Sequence, residues 1–175
     1  MTEAERQMVL AHLEIGSSAL VDALDGVTED MAVRVPGPGR WSVLECIEHV
    51  AVAEENLLNL IQVAQWAETP LINEERESRI VARGGDRGRR VESPDGVKPT
   101  GRFASLPAAI QHFLSSRKRT LAFVETCGDD LRKRVTSHPM FGTVSCFEML
   151  LLMAMHPHRH AKQIEEIKAA LAQAE

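Results

Sequence analysis

Four segments of the chain carry apolar residues at helical spacing, and no segment shows the strict alternation typical of a half-buried strand. The first segment runs from about Glu3 to Leu24, and the second from Ser42 to about Trp66. The third runs from Ser105 to about Gly128, and the fourth from Ser145 to about Leu171. The pattern therefore predicts four helices and no strand.

Two of these helices begin with a capping box, in which the first and fourth residues each satisfy a free backbone N–H group. Ser42 pairs with Glu45 in this way at the start of the second helix, and Ser145 with Glu148 at the start of the fourth. Trp41 directly precedes the first of these caps, where it can staple the entry to the helix. Both helix starts are therefore well defined by sequence alone.

The helical pattern fades between residues 68 and 103, although residues 71–82 still favour a helix. Glycine and proline recur in this connection, and a long connection is usually either functional or mobile. Its basic residues are Arg76, Arg79, Arg83, Arg87, Arg89, Arg90, Lys98 and Arg102. Two helices, a long connection and two more helices predict one all-α domain over residues 1–175. The expected fold is a four-helix bundle with a long crossover between helices 2 and 3.

Composition excludes several classes of function. The 175 residues are 44% apolar and 26% charged, which is typical of a folded domain. Only 4% are aromatic and the formal charge is −5, so stacking on bases and binding to a phosphate backbone are disfavoured. The longest apolar run, residues 149–155, is far shorter than the roughly 20 residues of a membrane span. We expect a cytoplasmic protein that binds neither nucleic acid nor membrane.

Three cysteines, without any CxxC spacing, argue against a disulfide framework and favour buried free thiols in a reducing compartment. The N-terminal residues MTEAERQM lead into no apolar run, so no signal peptide is expected.

Two histidines of the fourth helix have the spacing of a metal-binding pair. His156 and His160 are four residues apart, which places them on one helical face with Cβ atoms roughly 6 Å apart. That separation suits an ion bound to imidazole nitrogens at about 2.0–2.1 Å. His158 projects from the other side of the helix. Pro157 removes one backbone hydrogen bond, and a kink there either tilts His156 toward the bundle axis or spoils the pairing.

A third ligand must come from another segment. His49 is the best candidate because it lies within the second helix, at the edge of its apolar arc. Gln163 is a poor zinc ligand but is placed to support one. His12 and His112 have no partner at metal spacing, and His138, which precedes Pro139 in a loop, is not assigned a role. The HxxxH pair alone is weak evidence for a metal site, and the alternative of surface or hydrogen-bonded histidines stays open.

The order of these motifs resembles the DinB-like superfamily of metal-binding four-helix bundles. The matching pieces are Trp41 to Glu45, Glu48-His49, Pro99 to Phe103, His138-Pro139 with Phe141-Gly142, Ser145 to Glu148, and His156 to Ile164. The resemblance covers nearly the whole chain. It implies a bundle with a long crossover, often a homodimer. It also implies a divalent ion, zinc or nickel, held by His49, His156 and His160.

The resemblance further implies a reaction class, since some relatives are transferases or isomerases that use low-molecular-weight thiols such as bacillithiol or mycothiol. We therefore expect a metal-dependent thiol S-transferase with a small-molecule substrate. Arginines of the crossover are candidates to hold a carboxylate of the thiol, although a mobile, solvated crossover is the favoured explanation for them. Glu45, Glu48 and Glu54 offer no assignable general base. A metal-dependent hydrolase and a non-catalytic metal-binding or dimerisation module of a stress response are the alternatives.

Overall fold

The computed structural model describes residues 1–88, 92–138 and 140–173. Arg89 and Arg90 of the basic crossover, and Pro139 of the His-Pro motif, lie outside the described residues.

Four long helices form the bundle, as predicted. They are α1 (Glu3–Asp22), α3 (Val43–Gln62), α5 (Leu106–Thr126) and α6 (Cys146–Ala172). Helix α1 packs against α6 and α5, and α3 packs against α5 and α6, which closes the ring of four. Shorter helices are α2 (Glu29–Val33), α4 (Glu74–Arg83) and a 3-10 turn over Asp95–Val97. Among the described residues, no helix is long and apolar enough to cross a membrane.

Capping fixes where the long helices begin. The Ser42 and Ser145 hydroxyls accept hydrogen bonds from the backbone N–H groups of Glu45 and Glu148, and both glutamates return the bond to the backbone of the cap. Thr2 forms a third capping box at the start of α1. The starts of α3 and α6 thus lie where the sequence predicts them.

A three-stranded antiparallel sheet corrects the prediction that the chain contains no strand. It comprises β1 (Gln65–Trp66), β2 (Arg134–His138) and β3 (Gly142–Ser145), with β2 in the middle. Val135 pairs with both Gln65 and Ser145. β1 has only two residues, and burial does not alternate along β2 or β3, so a period of two does not indicate these strands. The second helix correspondingly ends at Gln62, and Trp66 belongs to the sheet.

The crossover is partly helical and is tied to the bundle. Helix α4 occupies part of the segment that favours a helix, and it packs against α6. The Arg76 guanidinium binds the buried Glu148 carboxylate at the start of α6, and Arg132 binds Glu77 of α4 and Glu5 of α1. One arginine of the crossover and one acid of α4 are therefore paired with residues of the bundle end, which ties the crossover down.

Helices α1 and α6 approach each other very closely at Gly16. A Cβ atom at this position would lie 2.5 Å from the Ala154 carbonyl oxygen of α6. Only a residue without a side chain allows this approach, and it occurs two residues before His156 of α6. Around this contact the apolar core divides into two adjoining clusters, one containing Leu13 and Met153 and the other containing Ile47 and Ile164.

Candidate metal centre

The structure brings His49, His156 and His160 together between α3 and α6. The Nε2 atom of His156 lies 3.1 Å from Nε2 of His49 and 3.0 Å from Nε2 of His160. The rings of His49 and His160 lie 4.8 Å apart between centroids. His49 and His160 are 4% and 5% exposed, so His49 is buried more deeply than its place at the edge of the apolar arc suggested. Three ring nitrogens thus converge on one point.

The tautomer of His49 follows from its hydrogen bond to the crossover. Its Nδ1 lies 2.8 Å from the Val97 carbonyl oxygen. A carbonyl oxygen only accepts, so Nδ1 carries the proton and donates it. Burial lowers the pKa of His49, which keeps the ring neutral at pH 7. Its Nε2 atom therefore presents a lone pair to the other two histidines.

The histidines of α6 are also neutral. Burial, together with the charges of neighbouring histidines and arginines, holds the pKa values of His156 and His160 well below the ordinary value of 6.5. Neutral imidazole is the form of histidine that binds metal ions. The site is therefore in its ligand form at physiological pH.

The donor set fits a divalent ion. Two imidazole nitrogens that share a tetrahedral zinc ion lie about 3.3 Å apart when the bonds are about 2.0–2.1 Å long. The observed separations of 3.0 and 3.1 Å are close to this value. No Asp, Glu or Cys joins the three histidines among the residues that the structure describes. Three protein ligands leave coordination positions for a small molecule, as in catalytic zinc sites.

Trp41 forms one wall of the site, a role that the sequence pattern does not indicate. Its indole lies 5.0 Å from the His49 ring and is stacked at 6.4 Å on the ring of His160. Its place directly before the Ser42 cap indicated a staple on the helix entry, not a contact with the ligands. The indole restricts both rings to one orientation.

Glu48 anchors the crossover beside the site. Its buried carboxylate accepts hydrogen bonds from the backbone N–H groups of Thr100, Gly101 and Arg102, at 2.7, 3.1 and 3.2 Å. The side chain of Arg102 approaches the same carboxylate at 3.6 Å. Glu48 therefore acts on the chain segment that follows Val97, and it does not face the three histidines as a base would. Adjacent residues of α3 thus hold the crossover at two points.

A basic group lies at the rim of the site, next to His160. Arg87 binds Glu166 through two hydrogen bonds of 2.8 Å and donates a third, of 3.0 Å, to the Gln163 side-chain oxygen. Gln163 therefore contacts an arginine, while Nδ1 of His160 has no hydrogen-bond partner among the described residues. Arg159 donates to the backbone carbonyl of Asp86. The positive charges of Arg87 and Arg159 contribute to the low pKa of His160.

The remaining histidines lie outside the cluster. His112 contacts Glu55 at 3.3 Å on the surface of α3 and α5, and His158 lies on the side of α6 that faces Gly16. His138 accepts a hydrogen bond from the backbone N–H of Met140, and its charge contributes to the low pKa of His156.

Comparison with known proteins identifies the family of this chain. Residues 12–164 match the sequence profile of the DinB superfamily. The chain belongs to the DinB superfamily. YuaE of Bacillus subtilis strain 168, an uncharacterized protein, is 21% identical over 151 residues, which cover 86% of this chain and 91% of YuaE.

Solved structures share the fold of this DinB-superfamily chain. YfiT from Bacillus subtilis, described as "a probable metal-dependent hydrolase with an unusual four-helix bundle topology", aligns over 98% of this chain and 90% of its own, with a TM-score of 0.62 and 18% identity. A conserved protein from Enterococcus faecalis aligns over 99% of both chains, with a TM-score of 0.64 and 15% identity. At these identities the likeness establishes the fold, and the chemistry has to be argued from the site.

Proposed function

We propose that this DinB-superfamily protein binds one divalent metal ion, zinc or nickel, through His49, His156 and His160, and transfers a low-molecular-weight thiol to an electrophilic substrate. The observation that carries the proposal is the convergence of three neutral histidine nitrogens, at 3.0 and 3.1 Å, without a fourth protein ligand among the described residues. A bound ion supplies a Lewis acid that lowers the pKa of a thiol or water beside it.

A thiol suits this site better than water does. A free thiol has a pKa of about 8.5, whereas that of water is about 15.7, so a thiol needs far less activation. No carboxylate of the described residues joins the cluster to remove a proton. The positive charge of Arg159 near His160 favours an anionic cosubstrate, and many cellular thiols carry carboxylates.

The protein's own cysteines are poorly suited to be the nucleophile. Burial raises the pKa of Cys46, and it raises the pKa of Cys146 to about 11, so both stay protonated at pH 7. Cys127 is half-buried and packs against the core cluster that contains Cys146. The reactive thiol therefore comes from a cosubstrate.

Each residue around the site has a separate task in this proposal. The imidazoles of His49, His156 and His160 hold the ion, and Val97 fixes the tautomer of the first. Trp41 excludes water from one side and orients two of the rings. Arg87, paired with Glu166, donates a hydrogen bond to Gln163 beside the site.

A metal-dependent hydrolase is the second candidate, favoured by the description of YfiT and its similar fold. The same three histidines would then hold an ion that activates a water molecule as the nucleophile. The two functions differ in one measurable respect, since a transferase requires a thiol cosubstrate and a hydrolase does not.

Metal analysis of purified protein, with His49→Ala and His160→Ala variants, tests the site. We expect about one equivalent of metal in the parent protein and a loss of at least tenfold in affinity for each variant. His112→Ala, outside the cluster, is the matched control and should retain the metal. Retention of metal by His49→Ala and His160→Ala would exclude the three-histidine site.

Activity assays then separate the two reactions. Metal-loaded protein is incubated with an electrophile, such as a chlorinated aromatic compound, and increasing bacillithiol, mycothiol or glutathione. Turnover that saturates with a thiol supports the transferase. Hydrolysis of esters or amides without thiol supports the hydrolase, and tight metal binding without either activity favours a non-catalytic module.

A further inference from the structure

The carbonyl of Met153 lacks its usual helical partner. In an α-helix this oxygen accepts a hydrogen bond from the residue four positions later. That residue is Pro157, which has no N–H group and whose ring crowds the carbonyl. Helix α6 nevertheless continues through this turn. Because Met153 is fully buried, its oxygen needs a donor from another part of the molecule.

Arg117 of α5 supplies that donor. Its Nη2 atom lies 3.2 Å from the Met153 carbonyl oxygen. The same guanidinium forms two hydrogen bonds with the Glu54 carboxylate of α3, at 2.8 and 2.9 Å, and Nη1 donates to the Leu13 carbonyl of α1. Thr120 donates a further hydrogen bond of 2.8 Å to Glu54. One buried side chain therefore connects all four helices of the bundle at the level of Met153.

This connection lies directly beside the candidate metal centre. Met153 lies three residues before His156 on α6 and Pro157 directly follows it, so the carbonyl that Arg117 binds belongs to the same turn as a candidate ligand. Arg117 is 2% exposed and Glu54 is 3% exposed, so water does not compete for the hydrogen bonds of this network.

We propose that Arg117 is a positioning residue for the metal centre. It gives the Met153 carbonyl the donor that Pro157 lacks. It thereby fixes the turn of α6 from which His156 and His160 project toward α3. This inference rests on the proposed metal binding by the three histidines.

A purely structural ion pair would make a different prediction. If Arg117 only neutralised Glu54, any substitution that keeps the charge would leave the metal site intact once the protein is folded. A positioning role instead couples Arg117 to Pro157, because an N–H group at position 157 makes the bond from Arg117 redundant.

Calorimetric titration with zinc tests this coupling in full-length protein. The parent, the two single variants and the double variant are compared. Arg117→Lys keeps the charge but cannot reach Glu54 and Met153 together, and Pro157→Ala restores the helical donor. We expect Arg117→Lys to lower the zinc association constant at least tenfold. Pro157→Ala keeps Arg117 and adds the helical donor, so it should stay within about twofold of the parent. The double variant should recover most of the affinity that Arg117→Lys loses. Arg119→Lys, an exposed neighbour on α5, is the matched control and should stay within twofold of the parent.

Two outcomes would overturn the proposal. One is a parent-like zinc affinity in folded Arg117→Lys with reduced stability alone, and the other is full additivity in the double variant. If Arg117→Lys fails to fold, the double variant carries the test, since the N–H group at position 157 supplies the donor for Met153. A folded double variant with a zinc affinity near that of the parent supports the proposal. A tenfold loss in that variant, or its failure to fold as well, would assign Arg117 a structural role alone and overturn the proposal.

A second readout keeps the test independent of metal binding. In metal-free protein, Arg117→Lys should shift the imidazole proton resonances of His156 and His160. The same substitution made in the Pro157→Ala background should shift them little, and Arg119→Lys should leave them in place. If the parent protein binds no zinc, the proposed function fails, while these resonances still decide whether Arg117 positions the histidines. Unshifted resonances would exclude it.

Discussion

Single residues at the site are held by contacts that the function does not itself require. The Nδ1 atom of His49 donates to Val97, Trp41 stacks on His160, and the neighbouring Glu48 holds the backbone of residues 100–102. Each contact removes a rotational freedom from a ligand or from its surroundings, and a preorganised site binds an ion with less ordering cost. Burial of the same histidines makes the stability of the metal-free protein depend on pH.

We predict that the metal-free protein loses stability as the pH falls below about 6.5. The pKa values of His49, His156 and His160 are lower in the folded chain than their ordinary value of 6.5. Between the folded and ordinary values, the unfolded chain binds protons that the folded chain does not, so stability increases with pH. Their contribution to the free energy of unfolding is complete above pH 6.5. Below that pH it decreases by up to about 1.4 kcal/mol per pH unit for each histidine.

Urea unfolding of metal-free protein at pH 5.5 and 7.5 measures this effect. The double variant His156→Gln with His160→Gln should show a weaker pH dependence. An equal free energy of unfolding at both pH values in the parent protein would show that the histidines are not held neutral by the fold.

We predict that Glu48→Gln lowers the free energy of unfolding by about 1–3 kcal/mol, because three backbone N–H groups and Arg102 lose their charged acceptor. Amide hydrogen exchange of residues 100–102 should become faster in parallel. Glu55→Gln on the same helix is the control, since its ion pair with Arg119 is exposed and contributes little. Similar losses in both variants would contradict the anchoring role of Glu48.

At the scale of helices, the sequence specified the bundle far better than the sheet or the site walls. Capping boxes at Ser42 and Ser145 and long apolar stripes locate α3 and α6, since these signals are local. Strands such as Gln65–Trp66 exist only through pairing with residues far along the chain, so no local pattern indicates them. The contact of Trp41 with His160 likewise depends on tertiary packing between distant segments.

The close contact of α1 with α6 gives a prediction at this scale. Gly16→Ala should lower the free energy of unfolding by about 1–3 kcal/mol, because the added methyl group would lie 2.5 Å from the Ala154 carbonyl oxygen. Elsewhere in a helix this substitution is stabilising by up to about 1 kcal/mol. Ser18→Ala, on an exposed position of α1, should change it by less than about 0.5 kcal/mol. Increased stability of Gly16→Ala in thermal or urea unfolding would contradict this packing.

For the whole molecule, the candidate ligands connect two helices that are far apart in sequence. An ion bound only by the folded state stabilises it by about 2.7 kcal/mol when its free concentration is 100 times the Kd. For a chain of this size we expect the melting temperature to increase by roughly 5–10 °C with zinc or nickel, and to return on addition of a chelator. His160→Ala should show no such increase in calorimetry. An equal increase in that variant would point to a different binding site.

The bond between His49 and Val97 has a consequence for natural variation. The acceptor is a main-chain oxygen at the end of the 3-10 turn, so the side chain at position 97 takes no part in it. Evolution is therefore free to exchange that residue among relatives as long as the turn is kept. Alignments alone would then rank position 97 as unimportant, although its peptide group determines which nitrogen of His49 is available to a ligand.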